Sequence, residues 1–538
     1  MIHLRLLRAG APAALLALLL AAVPAAAQDY DVLIRNGRVL DGTGNPWFYA
    51  DVAIRGDRIA AVGDLGSASA RRVIDATGLY VAPGFIDTHT HAGGGLASPD
   101  LSHGQPLLAQ GITTILANPD GGGPVDMAEQ RAALVRDGLG VNVGQLVPHG
   151  SVRRQVIGME DRAATAEELE RMRGLVRRGM EEGAFGLSSG LYYAPGSYAP
   201  LEEVIELGKV VAPFGGAYQS HIRDEADYNI GVVAAVDEVI DVARGAAIPG
   251  VVTHVKALGP RVWGFSQAIV HRIERAREEG LEVYADQYPY EASGTGITGA
   301  LVPRWAQVGG NGELVRRIDD PVEGPRLRAD ILDNFDRRGG AARLQFQGGG
   351  PGVQGRSIQE VADERGVTPL ELVLSILREG GSGGLVSFNM HENDIRTLMV
   401  QPWTITASDG SLPRMGQGVP HPRAYGSFPR KLRRYVLDDE VVDLAHAVRS
   451  MTSLPAGVYR VADRGLLHPG AYADVVVFDP ETVTDKATYQ EPHQLAEGMV
   501  HVLVNGRAAI DGGRFTTELH GRVLSRKEAP AGTPATSP

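Results

Sequence analysis

The segment Ala82-Pro-Gly-Phe-Ile-Asp-Thr-His-Thr-His91 ends a short apolar run in two histidines one residue apart. On an extended strand residues i and i+2 share a face, so the spacing predicts that His89 and His91 project their imidazoles side by side. Two imidazoles fixed that way form half a site for a divalent transition metal. With 15 histidines in 538 residues, chance supplies about 0.4 such pairs, so the pair alone decides nothing. Its weight comes from polar residues that recur where later apolar runs end. These are Asn118-Pro-Asp120-Gly, His149, Ser188-Ser189, Gln219-Ser-His221, Thr253-His254-Val-Lys256, Asp286 to Tyr290 and Ser408-Asp409-Gly410.

The elements that must carry these residues are legible as alternating patterns. Strand-like runs fall at 84–87, 113–117, 142–147, 186–189, 217–221, 251–254, 282–286 and 403–407, with helical periodicity at 165–182, 201–212, 231–244 and 267–279 between them. Eight strands alternating with helices predict a (β/α)8 TIM barrel, whose active sites sit at the strands' C-terminal ends. A doubly wound open sheet is the alternative, though no Gly-rich dinucleotide loop follows an early strand. In a barrel, His89, His91, Asp120, His221, His254 and Asp409 converge on one axis. They offer imidazole nitrogen and carboxylate oxygen, the ligand chemistry of zinc or a similar ion. A metal ion lowers the pKa of its water toward about 7. A carboxylate, for which Asp409 is the candidate, would then move protons as general base and acid. The residues themselves reach a metal-dependent hydrolase; a catalytically silent barrel used for binding is the competing class.

The flanks read differently. Residues 28–81 and 470–526 are short alternating strands with Asn-Gly and Gly-Asp turns, a β-rich texture shared by both ends. They bracket a barrel region at 82–469, and a long stretch at about 297–384 reads as an insertion, either a lid or a surface elaboration. Residues 1–27 carry Arg5 and Arg8, a short apolar core and Ala25-Ala-Ala27, which reads as a cleavable signal peptide rather than a membrane anchor. Periplasmic or secreted localisation is therefore expected, with a Pro/Ala/Thr-rich disordered tail at 527–538. No cysteine is present, so neither a disulfide nor a lipidated thiol holds the exported chain. A formal charge of −12 without any basic run argues against nucleic acid or a membrane surface as partner and for a small-molecule substrate.

Several segments together resemble the D-aminoacylase (N-acyl-D-amino-acid deacylase) family of the amidohydrolase superfamily. They are the PGFIDTHTH run, Gly183-Ala-Phe-Gly-Leu-Ser-Ser-Gly-Leu-Tyr-Tyr-Ala-Pro-Gly196, His221-Ile-Arg-Asp-Glu225, Thr253-His-Val-Lys256, Tyr288-Pro-Tyr290, Ser408-Asp-Gly410 and the run from His421 to Arg430. The resemblance covers about 29–525. It implies a barrel with a small β-sandwich built from both termini, and cleavage of an N-acyl group from a D-amino acid with one or two Zn2+ ions. It places His89 and His91 on one metal, His221 and His254 on the other, and Asp409 as base and acid. Tyr193, Lys256, Arg423 and Tyr288 fall at substrate-binding positions, where guanidinium and ammonium groups suit a carboxylate. A related amidohydrolase acting on a dipeptide, a β-aspartyl linkage or a cyclic amide is the alternative. One departure stands out: where the family's well-known members carry a Cys ligand after the second strand, this chain has Asp120. A carboxylate can bridge two ions, so Asp120 is expected to join the two halves of the site.

Overall fold

The computed structural model describes residues 28–350, 352–381 and 383–526. The expected signal peptide and C-terminal tail lie outside these residues. Six parallel strands, Val147–Pro148, Gly186–Gly190, Ala217–His221, Gly250–Val252, Val283–Gln287 and Thr404–Thr406, are hydrogen-bonded in that order. Phe85–Asp87, Ile112–Ala117 and Asn142–Gln145 form a second parallel sheet. The run expected at 142–147 is thus broken at Leu146, whose N–H still bonds to Ala117 O at 3.1 Å. Beyond the last strand, Asp409 N donates to His89 O and His91 N to Gly410 O, each at 2.8 Å. This is a TIM-barrel-type α/β fold.

The four expected helices are present as Ala166–Glu181, Leu201–Val211, Val232–Ala246 and Ser266–Glu278. The first begins with a capping box, in which Thr165 and Glu168 each satisfy the other's free backbone N–H. Its i, i+4, i+8 series Met172, Val176 and Met180 is buried in one cluster with Leu187, Tyr218 and Val251 from the strands. Each such side chain removed from water contributes about 1.5–3 kcal/mol, so the strand ends that carry the polar residues are held on a rigid frame.

Strands from both flanks of the described residues enter one nine-stranded sheet, joined where Tyr80–Pro83 pairs antiparallel with Val475–Phe478. Between Val283–Gln287 and Thr404–Thr406 lies a three-stranded antiparallel sheet, Ser293–Gly296, Gly384–Ser387 and Leu344–Phe346, with the middle named strand central. Helices such as Asn311–Asp319 and Glu323–Arg337 cover it over a separate apolar cluster. This unit begins and ends a few residues outside the 297–384 stretch expected from sequence. Its first strand reads Ser-Gly-Thr-Gly and has no apolar alternation to reveal it. No helix among the described residues is long and apolar enough to cross a membrane.

Beneath the last parallel strand, Lys431 is buried, and its ammonium donates to Thr406 Oγ1 and Ser450 Oγ at 2.9 Å each. Burial pushes this lysine down to about 7. The unfolded chain, with an ordinary lysine near 10.4, then binds more protons than the folded one between those values. Stability contributed here rises as pH climbs from about 7 toward 10. Replacing Lys431 by Met removes that rise in chemical-denaturation curves and, at pH 7, leaves stability equal or higher. Thr406 and Ser450 already bond to each other at 2.8 Å.

Candidate metal centre

The two histidines that open the sequence lie just past their strand, which ends at Asp87. Their side-by-side placement therefore does not come from strand alternation. The chain bends after Asp87, whose Oδ1 accepts the N–H of His89 at 3.2 Å and that of Ser408 at 3.1 Å. The rings stand 5.9 Å apart at 70°. His89 is fully buried, while the His91 side chain is 41% exposed and forms part of the cavity wall.

Both imidazoles converge on Asp120. His89 Nε2 lies 3.3 Å from Oδ1 and His91 Nε2 3.4 Å from Oδ2. From the opposite side, His254 Nε2 lies 3.6 Å from Oδ1 and His221 Nδ1 3.8 Å from Oδ2. Asp409 Oδ1 approaches His91 at 3.2 Å and His89 at 3.6 Å. The result is two groups with ligand atoms mutually within 4.8 Å: His89, His91, Asp120 and Asp409, and Asp120, His221 and His254. Asp120 belongs to both.

These residues fit a metal by an observation independent of spacing. Both nitrogens of His89, Asp120 Oδ1 and His221 Nε2 are buried without a hydrogen-bond partner among protein groups. Buried polar atoms are nearly always satisfied, so a convergent set of orphans marks a place built for something else. The N/O donor set suits zinc.

The backbone is bent to make this possible. Asp120, His254 and Asp409 have φ values of 54°, 36° and 48°, left-handed conformations that cost a non-glycine residue about 1–2 kcal/mol. Close packing fixes the Asp120 turn: a Cβ on Gly190 would lie 2.2 Å from Asp120 O. Asp286 holds the opposite side, accepting His254 N–H at 2.6 Å while its Oδ2 lies 3.5 Å from His89 Nδ1.

Charge is arranged in pairs around the ligands. Burial alone would raise Asp409, but Arg423, with Nη1 2.7 Å from Oδ2, and the nearby histidines hold it well below the usual carboxylate range. Partial desolvation lowers the part-exposed His91, yet Asp120 and Asp409 lift it to about 9. The same negative potential that draws a proton there draws a cation. Lys256 is paired with Glu225 and donates to His254 Nδ1 at 2.7 Å. Tyr288 is buried with its ring 4.8 Å from the Arg423 guanidinium and 5.7 Å from the Lys256 ammonium. Tyr193 bonds to Thr295 Oγ1 at 3.0 Å, its ring 4.6 Å from that of His221. All ten residues singled out from sequence thus meet at one cavity of about 790 Å3 or directly beneath it.

His149, also at a strand end, is not among them; it bonds to Glu203 at 3.0 Å in a buried network with Arg153. Sequence reasoning missed the roles of Glu225 and His421. Glu225 follows His221 by four residues, a visible but unspecific spacing. His421 Nδ1 accepts the backbone N–H of Arg423 at 3.0 Å, which nothing in the sequence announces.

If Asp120 serves both groups, Asp120→Ala weakens every ion bound. Its affinity loss should exceed the roughly 10–100-fold that removal of an outer partner causes. Metal analysis after dialysis checks this; one firmly held equivalent at wild-type affinity contradicts a shared ligand. Gly190→Ala, which touches no ligand side chain, should also lower metal content by displacing the Asp120 turn.

The chain is similar in sequence to the N-acyl-D-glutamate deacylase of Alcaligenes xylosoxydans xylosoxydans, with 37% identity over 526 residues, 94% of this chain and 98% of the relative. The D-aminoacylase of the same organism is 34% identical, covering 93% and 99%. Among solved structures it is similar to the N-acyl-D-glutamate deacylase of Bordetella bronchiseptica complexed with zinc and a phosphonate inhibitor, a mimic of the tetrahedral intermediate. That likeness has a TM-score of 0.79 at 34% identity and covers 92% and 99% of the two chains. The amidohydrolase family model matches residues 72–256 and 322–510. The shared-carboxylate centre at the strand ends thus sits in a chain that belongs to the amidohydrolase family, in the group that includes the D-aminoacylases.

Proposed function

We propose that this protein is a zinc-dependent hydrolase of N-acyl-D-amino acids, releasing a carboxylate and a free D-amino acid. The observation that carries this is the position of Asp409, with one oxygen facing His89 and His91 and the other on Arg423. His89 and His91 on one side and His221 and His254 on the other, with Asp120 common to both groups, would hold the zinc, which when bound would supply an acidified water and a Lewis acid for the scissile carbonyl. Asp409 is placed to hold the proton at Oδ1 and to pass it to the leaving amide nitrogen.

Lys256, Arg423 and Tyr193 line the same cavity and give a free α-carboxylate two cations and a hydroxyl. Tyr288 supports both cations from below. Arg423 has a second part in this reading. While it grips Asp409, that carboxylate is a weak base. When the substrate carboxylate engages Arg423, the hold on Asp409 loosens and its basicity rises with substrate in place.

In this reading the two parallel sheets form one closed eight-stranded barrel across 82–469. Residues 28–81 and 470–526 fold together as a β-sandwich, and the insertion covers the barrel mouth. We also propose export to the periplasm or medium by the N-terminal segment, which amino-terminal sequencing of secreted protein tests.

With zinc added, the protein should hydrolyse N-acetyl-D-amino acids at least about tenfold faster than their L forms, a difference a shaped pocket readily supplies. Equal rates would overturn the chirality. Asp409→Asn should lower kcat by about 10²–10⁴-fold, the usual worth of a placed acid–base group; unchanged turnover would remove Asp409 from the chemistry.

A further inference from the structure

The three buried histidines of the metal centre, His89, His221 and His254, each turn one ring nitrogen toward Asp120 and the other toward a second carboxylate. For His89 the outer carboxylate is Asp286, with Oδ2 3.5 Å from Nδ1. For the other two it is Glu225, which serves both. His254 Nε2 and His221 Nδ1 face each other at 2.8 Å on the Asp120 side. Behind them, Glu225 Oε1 lies 3.0 Å from His254 Nδ1 and Oε2 3.6 Å from His221 Nε2. Glu225 thus stands behind this pair as Asp120 stands in front of it, one oxygen to each ring.

The backbone is built to keep Glu225 there. Asp224 accepts the N–H of Ala226 at 2.9 Å, of Asn229 at 2.6 Å and of Gly231 at 3.0 Å, which closes the loop after His221. Glu225 O accepts the N–H of Leu258 at 2.8 Å and ties that loop to the segment carrying His254 and Lys256. Both side chains, Glu225 and Lys256, are buried. The Lys256 ammonium bonds to Glu225 Oε1 and also to His254 Nδ1, the latter at 2.7 Å.

That last contact conflicts with metal binding. An ammonium only donates, so His254 Nδ1 accepts, and the proton of the neutral ring then sits on Nε2. From there it is directed at His221 Nδ1, so both nitrogens that face Asp120 are taken up by one hydrogen bond. A ring that gives Nε2 to a cation carries its proton on Nδ1 instead, where it needs an acceptor. Glu225 Oε1 can accept it and Lys256 cannot.

We infer that Glu225 is a positioning residue that holds His221 and His254 in the tautomers that bind a metal, and that Lys256 competes with the metal for His254. The inference rests on reading the site as a zinc centre. A cation on His254 Nε2 ends the bond from Lys256 and leaves the ammonium to Glu225 and to the cavity that both residues line. Metal loading and the availability of Lys256 for a substrate carboxylate are thereby linked through one imidazole.

The test is zinc affinity of the full chain, read by competition with a chromophoric chelator, with folding checked by circular dichroism. Glu225→Gln keeps the size but offers one acceptor oxygen. It should weaken one bound equivalent about 10–100-fold, the worth of such an outer partner, and leave the other nearly unchanged. His89→Ala, which removes a buried ligand of the other group, identifies the weakened equivalent as the one at His221 and His254. Lys256→Met should act in the opposite sense and tighten that equivalent severalfold, since it removes a competing donor and a like charge. Unchanged affinity in Glu225→Gln, or equal weakening of both equivalents as a merely structural defect would give, overturns the role of Glu225. Unchanged or weaker zinc binding in Lys256→Met overturns the competition, even if Glu225→Gln fails to fold. A wild type that binds no zinc overturns the metal-centre reading and this inference with it; the proposed reaction is decided separately, by turnover.

Discussion

Four imidazoles converge on one buried carboxylate, and the rest of the architecture can be understood as what that convergence requires. Asp120 lies 3.3–3.8 Å from His89, His91, His254 and His221. These residues come from strand ends far apart in sequence, so only a fold that gathers those ends can assemble them. Parallel strands tied by amphipathic helices do so, because their C-terminal ends all open on one side. The left-handed turns at Asp120, His254 and Asp409 then aim side chains that regular strand geometry would send elsewhere. Their strain is sustained by close packing such as that of Gly190 against Asp120, the pattern of strain stored at functional sites.

Around this centre, charge is balanced locally, and the balance explains how a strongly polar site stays folded. Lys256 is matched by Glu225, Arg423 by Asp409, and Asp286 sits between His89 and the backbone of His254. A buried cation stripped of such a partner would destabilise the site by several kcal/mol. The same pairs can open when a substrate offers its own carboxylate, since one anion then replaces another on the same cation. Arg338 is the exception to this balance, held by the neutral acceptors Ala300 O, Ser387 Oγ and Tyr192 OH.

Much of this was legible in the sequence because polar residues at the ends of apolar runs are rare and ordered. Nearly all the barrel strands and the four long helices follow from periodicity 2 and 3.6, and the ligand residues follow from their places after the strands. Three things were not legible. His89 and His91 keep their neighbourhood through the bend after Asp87, a backbone feature that alternation cannot foresee. The strand Ser293–Gly296 has no apolar pattern, so the start of the three-stranded antiparallel sheet was hidden. Arg338 reads locally as the end of a charged helix, Asp336-Arg-Arg338; only the tertiary packing of that helix against Tyr192 makes it a buried cation.

The absence of cysteine gains meaning from the geometry of Asp120. A thiolate offers one donor atom and binds a soft ion tightly, whereas a carboxylate offers two oxygens that can be divided between neighbours. Here Oδ1 faces His89 and His254, and Oδ2 faces His91 and His221, so each oxygen meets one imidazole from each pair and neither is given over to one half of the site. The surrounding histidines also hold the Asp120 carboxyl well below its ordinary pKa against the effect of burial. Aspartate at this turn thus belongs to both ligand groups of the site. The halves then become one electrostatic unit, in which a change at either histidine pair is felt by the other through a single shared side chain.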